Sequence, residues 1–283
     1  MAARTVRGPY EGVLVMRPGG TREAVRVTAA GAVQTLGPDG AVTGTVTDFA
    51  ATGVADPMRL SGLGWRRDGA GLGFAVLLGP RRTLVEVVDV ATGLPLTTGL
   101  IRQPRNLAAR DIAWSADARL VAFDVPVTRR SDPGCAAGRS RVYVTSATGP
   151  GAPARRISLP GALCQGEDVD FTDPAFSPDG TQLIMTRRRH LPDGQVSDLV
   201  SVPLTADGAV AGPMREVSPG VSGVGQAVFS PDGHSIAATF MRPATGDGGI
   251  AVMAADGTGV HDVLVSPYLI VRDPDWAPGP PAG

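Results

Sequence analysis

Short runs of apolar residues alternate with turn residues along the chain, and one hairpin pattern recurs. In the clearest copy, residues 173–180 read DPAFSPDG and the apolar stretch 183–185 follows them. A second copy places VFSPDG at 228–233, before the apolar stretch 236–238. Proline presets φ at the second position of such a turn, and glycine accepts the positive φ that the reversal needs. The pattern therefore predicts a β-hairpin whose first strand ends in a large aromatic side chain.

Weaker copies of this hairpin, together with a second recurring signal, extend the pattern to the rest of the chain. The hairpin aromatics are Trp65, Trp114, Phe176, Phe229 and Trp276. The second signal is an apolar strand that runs into a glycine turn, and the glycines are Gly31, Gly93, Gly149, Gly208 and Gly257. A short fourth strand is expected after each of these glycines. Each unit thus contains four short strands, and no stretch longer than a turn or two has helical periodicity.

Four-stranded units that repeat at roughly 50 residues are typical of a β-propeller. We therefore predict an all-β fold in a single domain, residues 1–283, with blade hairpins that start near residues 62, 111, 173, 226 and 273. Five aromatics and five glycines favour five blades, with six as the alternative. Gly31 has no hairpin before it and Trp276 has no strand after it, so the two chain ends would complete one mixed blade. In that blade residues 1–40 supply the outer strands, and residues 279–283 form a flexible tail.

The repeat resembles that of the TolB-like propellers, whose hallmark is an aromatic-Ser-Pro-Asp-Gly hairpin followed by a strand ending in Asp-Gly or Thr-Gly. The resemblance covers nearly the whole chain and is strongest at Phe176 and Phe229. At the hairpins of Trp65 and Trp114, the proline is replaced by Arg67 and by Ala116. The resemblance implies protein–protein contacts at the cell envelope, and TolB-type propellers usually have six blades. Related repeats form the lid domain of prolyl-oligopeptidase-like enzymes, but no nucleophile elbow is present here.

Composition excludes several classes of function. The net charge of -1 gives no long-range attraction for the phosphate backbone of a nucleic acid. Aromatic residues make up only 5% of the chain, so few side chains are available to stack on bases. Apolar runs are far shorter than the roughly 20 residues that a membrane span needs. We therefore expect neither a nucleic-acid partner nor a membrane span. No cofactor fingerprint is visible either.

The candidate binding residues are polar side chains on loops that should open on one face of the propeller. In this fold the loops between blades and those joining the second and third strands lie together around the channel mouth. The candidates on these loops are Arg102, Arg105, Glu167, Asp168, Asp170, Arg188, His190 and Arg242. Such a ring of mixed sign suits a polar or peptide partner. The alternative is that each is an ordinary solvated loop charge.

The sequence gives only weak signals for a metal site, one from aspartates and one from histidines. Asp111, Asp173 and Asp273 share one place in three repeats and could surround a cation. Gly62 and Gln226 break that ring, so local bonds from the carboxylates to backbone N–H groups are the preferred interpretation. The three histidines are expected on opposite faces, with His190 at the mouth. We expect no metal site.

Cys135 and Cys164 are a disulfide candidate, because both lie in loops expected on the mouth face. A bridge would tie down the longest insertion in the repeat and would indicate an oxidising compartment. Two free thiols in a cytoplasmic protein are the alternative. The expected location of the protein is outside the cytoplasm if an export signal has been removed, and in the cytoplasm otherwise.

With no catalytic constellation recognised, the sequence favours a non-catalytic binding or scaffold propeller that contacts a protein or peptide. A monomer is expected. The alternative is a carbohydrate-active lyase or hydrolase that uses the channel mouth, with His190, Asp168 and Arg242 as its best candidates. A site joining these three residues would favour the enzyme.

Overall fold

Strands make up the regular structure of the computed structural model. It describes residues 15–16, 24–27, 32–37, 39, 41–48, 60–65, 70–79, 82–102, 110–126, 139–147, 154–157, 169–218, 221, 223–242, 244–267, 274 and 276. The all-β prediction is confirmed for these residues. No helix in this part of the chain is long and apolar enough to cross a bilayer.

The described strands pair into five antiparallel sheets of four strands each. The first sheet contains β1 (Val15–Met16), β2 (Ala24–Val27), β3 (Ala32–Leu36) and β4 (Val42–Asp48). The second contains β5 (Leu60–Trp65), β6 (Gly71–Gly79), β7 (Arg82–Asp89) and β8 (Pro95–Arg102). The third contains β9 (Arg110–Trp114), β10 (Leu120–Pro126), β11 (Ser140–Ser146) and β12 (Arg155–Arg156). The fourth contains β13 (Val169–Phe176), β14 (Gln182–Leu191), β15 (Gly194–Pro203) and β16 (Arg215–Glu216). The fifth contains β17 (Val224–Phe229), β18 (Ser235–Met241), β19 (Gly248–Ala254) and β20 (His261–Ser266).

Successive sheets meet through their first strands. β1 contacts β5, β5 contacts β9, β9 contacts β13 and β13 contacts β17. Each sheet follows chain order from its first strand to its fourth. The first strands are therefore the inner strands of the sheets, as the blades of a propeller require.

The hairpin turn is held by a serine and an aspartate rather than by proline. Ser177 Oγ donates to Asp179 Oδ1 at 2.6 Å, and the backbone N–H of Gln182 returns a bond to Ser177 Oγ at 2.9 Å. Ser115 makes the same 2.6 Å bond to Asp117, although Ala116 stands in place of the proline. The Ser-x-Asp pair therefore explains why the weaker repeat still forms its turn.

Three of the hairpin aromatics, Phe176, Phe229 and Trp114, pack between neighbouring sheets. Phe176 is buried among residues of the third sheet, including Leu120 and Val144. Phe229 packs against a cluster that contains Ile184 of the fourth sheet. The indole of Trp114 lies so close to Gly73 that a Cβ added there would sit 2.2 Å from Trp114 Cε2. These aromatics are therefore part of the core between sheets.

The N-terminal sheet differs from the expected pattern. Position 31 lies between β2 and β3, the second and third strands, whereas Gly93 lies between the third and fourth strands of its own sheet. The equivalence of Gly31 with the other turn glycines is therefore wrong. The predicted closing strand falls on residues 273–278, of which the structure describes Pro274 and Trp276, and the predicted tail, residues 279–283, lies outside the described residues. Trp276 Nε1 donates to the carbonyl of Val228 in β17 at 3.3 Å.

Candidate functional site

The inner strands of four sheets carry a β-bulge at one place in the repeat. The register shifts between residues 61 and 64, 172 and 175, and 225 and 228, and opposite the step from residue 122 to 124. Asp111, Asp173 and Gln226 lie at these bulges with φ of 39°, 51° and 45°. Left-handed backbone is uncommon for residues other than glycine, and a bulge redirects the side chains next to it.

In the fourth sheet the bulge brings two carboxylates onto one face. Asp170 and Asp173 are three residues apart, so a regular strand would point them to opposite faces. Here Asp170 Oδ2 lies 2.7 Å from His190 Nε2, and Asp173 Oδ2 lies 3.1 Å from an Nη of Arg188. Arg188 and His190 are two residues apart on β14 and share its face. We call these four residues the mouth cluster, since β13 begins and β14 ends at the side where the mouth loops were predicted.

The mouth cluster is anchored to the preceding sheet. The backbone N–H of Ser140 in β11 donates to Asp170 Oδ1 at 2.6 Å. The side chain of Arg141 is buried and donates to the carbonyls of Ser140 and Val169 at 2.8 and 2.7 Å. Arg139 places a guanidinium nitrogen 3.8 Å from Asp170 Oδ2. Asp170 therefore joins two sheets and at the same time fixes the imidazole of His190.

Two groups of the mouth cluster have hydrogen-bonding capacity that the described residues do not use. The Nδ1 atom of His190 has no hydrogen-bond partner among the described residues, and Arg188 uses one of its five N–H donors, on Asp173. The two side chains are 21% and 34% exposed. An imidazole oriented by a carboxylate can exchange a proton, and a guanidinium can bind an oxyanion. The arrangement can therefore bind an anionic group or act on a proton.

The opposite face of β14 carries a separate, structural ion-pair group. Arg187 donates to both oxygens of Asp198 at 2.7 and 2.8 Å, and Arg189 donates to the same buried carboxylate at 2.9 Å. The hydrogen bonds that Arg187 donates to Asp198 raise the pKa of its guanidinium. Because side chains alternate along a strand, the run from residue 187 to residue 190 is divided between these two groups.

Asp124 is a buried carboxyl that the sequence reasoning missed. It lies on β10, is 1% exposed, and neither oxygen has a hydrogen-bond partner of normal geometry among the described residues. Burial is the main cause that raises its pKa to about 8, and the charges of Asp111 and Asp173 act in the same direction. The Ser140 side chain is near enough to oppose this shift. A charged residue inside the apolar run 120–125 was the signal that could have identified it.

The three aspartates considered for a cation ring are described only in part. Asp111 and Asp173 share the bulge position, Gln226 occupies it in the fifth sheet, and Asp273 lies outside the described residues. In the described part of the chain, no group of three or more His, Cys, Asp or Glu side chains is arranged to hold a metal ion.

Of the predicted site residues outside the mouth cluster, the structure describes the side chain of Arg242 alone, and Arg242 pairs within the fifth sheet. Arg242 bonds to Asp262 on β20, the outermost strand of the fifth sheet, and its guanidinium carbon lies 4.6 Å from the centre of the Phe240 ring. Arg102 ends β8, and the structure describes its backbone only. The remaining predicted residues lie outside the described residues: Arg105, Glu167, Asp168, Cys135 and Cys164.

Comparison with solved structures shows that the fold is a TolB-like β-propeller. The chain is similar to a putative TolB from Agrobacterium tumefaciens, at 14% identity and a TM-score of 0.56, over 91% of this chain and 82% of that one. It is similar to TolB from Acinetobacter baumannii at 15% identity and a TM-score of 0.54, over 90% of this chain. The chain spans only 52% of the length of the Acinetobacter protein.

An enzyme is also among the similar structures. An oligogalacturonate lyase, solved in complex with manganese, has 12% identity and a TM-score of 0.50, over 90% of this chain and 74% of that one. No protein-family model and no curated protein sequence matches the chain. At these identities the likeness shows the fold alone.

Proposed function

We propose that the protein is a non-catalytic binding propeller, TolB-like, that contacts a protein or peptide partner through its mouth face. The observation that carries the proposal is the anchoring of the mouth cluster across two sheets. Asp170 is bonded to the Ser140 N–H and to His190 at once, so the polar surface is already formed before a partner arrives. A preformed surface loses little conformational entropy on binding.

Site-specific photocrosslinking tests this proposal. A photoreactive residue placed at Leu191, which is 47% exposed beside the mouth cluster, should capture a partner in the source cells. The matched control is the same residue at Arg155, an exposed position that pairs with Asp207 in a turn between third and fourth strands. A defined partner captured from Leu191 and absent from Arg155 supports the proposal. Equal capture from both positions contradicts it.

The alternative is a carbohydrate-active lyase or hydrolase, and the pair formed by Asp170 and His190 favours it. A carboxylate that orients an imidazole is the arrangement used for general acid–base catalysis. Turnover of acidic and neutral oligosaccharides, lost in His190→Gln and kept in His234→Gln, would favour the enzyme over the binding protein. His234 lies in the turn between β17 and β18, where its backbone N–H donates to Asp232.

We also propose that the whole chain, residues 1–283, forms one five-bladed propeller. In this proposal the segment around Trp276 closes the ring between the fifth and first sheets as part of a mixed blade, and its bond to Val228 of β17 supports contact with the fifth sheet. A sixth blade is the alternative. The proposal includes a monomer, a location outside the cytoplasm at the cell envelope, and a bond between Cys135 and Cys164.

A further inference from the structure

We propose that the mouth cluster recognises a carboxylate group of its ligand through Arg188 and His190. This inference rests on the proposed binding function and adds to it the chemical group that is bound. Arg188 and His190 stand on one face of β14, and each is held from behind by an aspartate of β13. The bulge at Asp173 is what makes this double support possible.

The geometry favours an oxyanion because it presents donors outward. A guanidinium offers donors in a planar fork that matches the two oxygens of a carboxylate. Arg188 spends one of these donors on Asp173, and the described residues contain no partner for the rest. His190 lies two residues further along the strand, and because its Nε2 faces Asp170, its Nδ1 donates to a carboxylate in the protonated form of the imidazole. Because both side chains are already oriented, binding a carboxylate requires little further ordering.

A cationic ligand fits the same surface poorly. The carboxylates of Asp170 and Asp173 are only 12% and 9% exposed, and each is already bonded to a side chain of β14. The guanidinium of Arg188, at 34% exposed, is more accessible to a partner's lysine or arginine than either carboxylate. Arg139 lies near Asp170 and adds positive charge, while the nearby carboxyls are those of Asp111 and of Asp124, whose raised pKa of about 8 keeps it protonated at neutral pH.

A carboxylate can come from two sources, and four probes distinguish them. For an acidic peptide the probes are Ac-Glu-Glu-Glu-NH2 and its uncharged match, Ac-Gln-Gln-Gln-NH2. For an acidic sugar they are trigalacturonate and its methyl ester. Each is titrated into the whole protein, while the ¹⁵N signals of the arginine Nε and histidine ring nitrogens are followed by NMR.

We expect saturable shifts at Arg188 and His190 with at least one acid probe and not with its uncharged match. Arg188→Gln and His190→Gln should each weaken that probe about tenfold, since each removes a charge-assisted contact. Arg155→Gln is the matched control, because it removes an equally charged and more exposed guanidinium away from the mouth. The double variant Arg188→Gln/Asp173→Asn also removes the carboxylate that Arg188 pairs with, so it leaves no unpaired charge. It should lose the same affinity for the acid probe, with an unchanged melting temperature.

The outcomes separate this inference from the proposed function. A partner that crosslinks from Leu191 but binds equally well to Arg188→Gln overturns carboxylate recognition and leaves the binding function standing. Equal shifts with the acid and uncharged probes, or equal weakening in Arg155→Gln, also overturn it. Failure to crosslink any partner, together with no response to any probe, overturns both.

Discussion

The carboxylate of Asp170 accepts a 2.6 Å hydrogen bond from the backbone N–H of Ser140, and the two residues belong to neighbouring sheets. The other oxygen of the same carboxylate contacts His190 at 2.7 Å. The buried side chain of Asp170 thus connects the interface between the two sheets with the imidazole of His190. A change at Asp170 should therefore affect stability and binding together.

Asp170→Ala should destabilise the protein by about 1–3 kcal/mol, because the N–H of Ser140 would lose its acceptor in a buried position. Urea unfolding followed by circular dichroism measures the loss. Asp207→Ala, which removes an exposed carboxylate paired with Arg155, is the control and should change the free energy of unfolding far less. Equal losses in the two variants would contradict the anchoring role of Asp170.

Stability should fall as the pH rises from 5 to 8, because of Asp124. The folded protein keeps the Asp124 proton up to a pKa of about 8, whereas the unfolded chain releases it near the ordinary value of 3.8. Unfolding between these values releases a proton, so raising the pH favours unfolding, at most by about 1.4 kcal/mol for each pH unit. The stability that protonated Asp124 contributes is fully present below the unfolded pKa of 3.8, and it is lost as the pH rises through the folded pKa of about 8.

Asp124→Asn should flatten that dependence and stabilise the protein at pH 8. Chemical denaturation at a series of pH values measures it, with Asp193→Asn, a change at an exposed residue, as the control. If wild type and Asp124→Asn show parallel profiles, Asp124 is ionised in the folded protein at neutral pH and the explanation is wrong.

Gly73→Ala should destabilise the seam between the second and third sheets by about 1–3 kcal/mol, the usual cost of overpacking. The new methyl group would overlap the indole of Trp114, so the tryptophan emission should also shift. Gly225→Ala is the matched control, because a Cβ there meets Thr186 at an ordinary 3.4 Å. A Gly73→Ala protein with native stability and emission would mean that the indole does not pack against Gly73.

Removing residues from Pro274 onward should expose an edge and cause aggregation or loss of cooperative unfolding, if this segment closes the ring. The bond from Trp276 to Val228 is the contact at stake. Removal of residues 279–283 alone is the control and should leave the unfolding transition unchanged. A long truncation that melts like the intact chain would exclude closure by this segment.

Local chemistry carried most of the information that reasoning from the sequence could use. Turn positions follow from the Ser-x-Asp pairs, and the core follows from aromatics such as Phe176 that recur at the end of an inner strand. The N-terminal sheet departed from the pattern because β1 to β4 form a sheet without a recognisable copy of the hairpin. The glycine signal alone was too short to assign a strand to its place in the sheet.

The sequence by itself determined that the chain folds into short antiparallel strands with aromatics between the sheets, because turns and alternation depend on neighbouring residues. Tertiary structure alone decided which polar residues meet. The bulge at Asp173 changes the face on which a carboxylate lies, and the Ser140 N–H reaches Asp170 from 30 residues away. Burial of Asp124 likewise depends on how the sheets pack, since β10 by itself would leave that carboxyl in water.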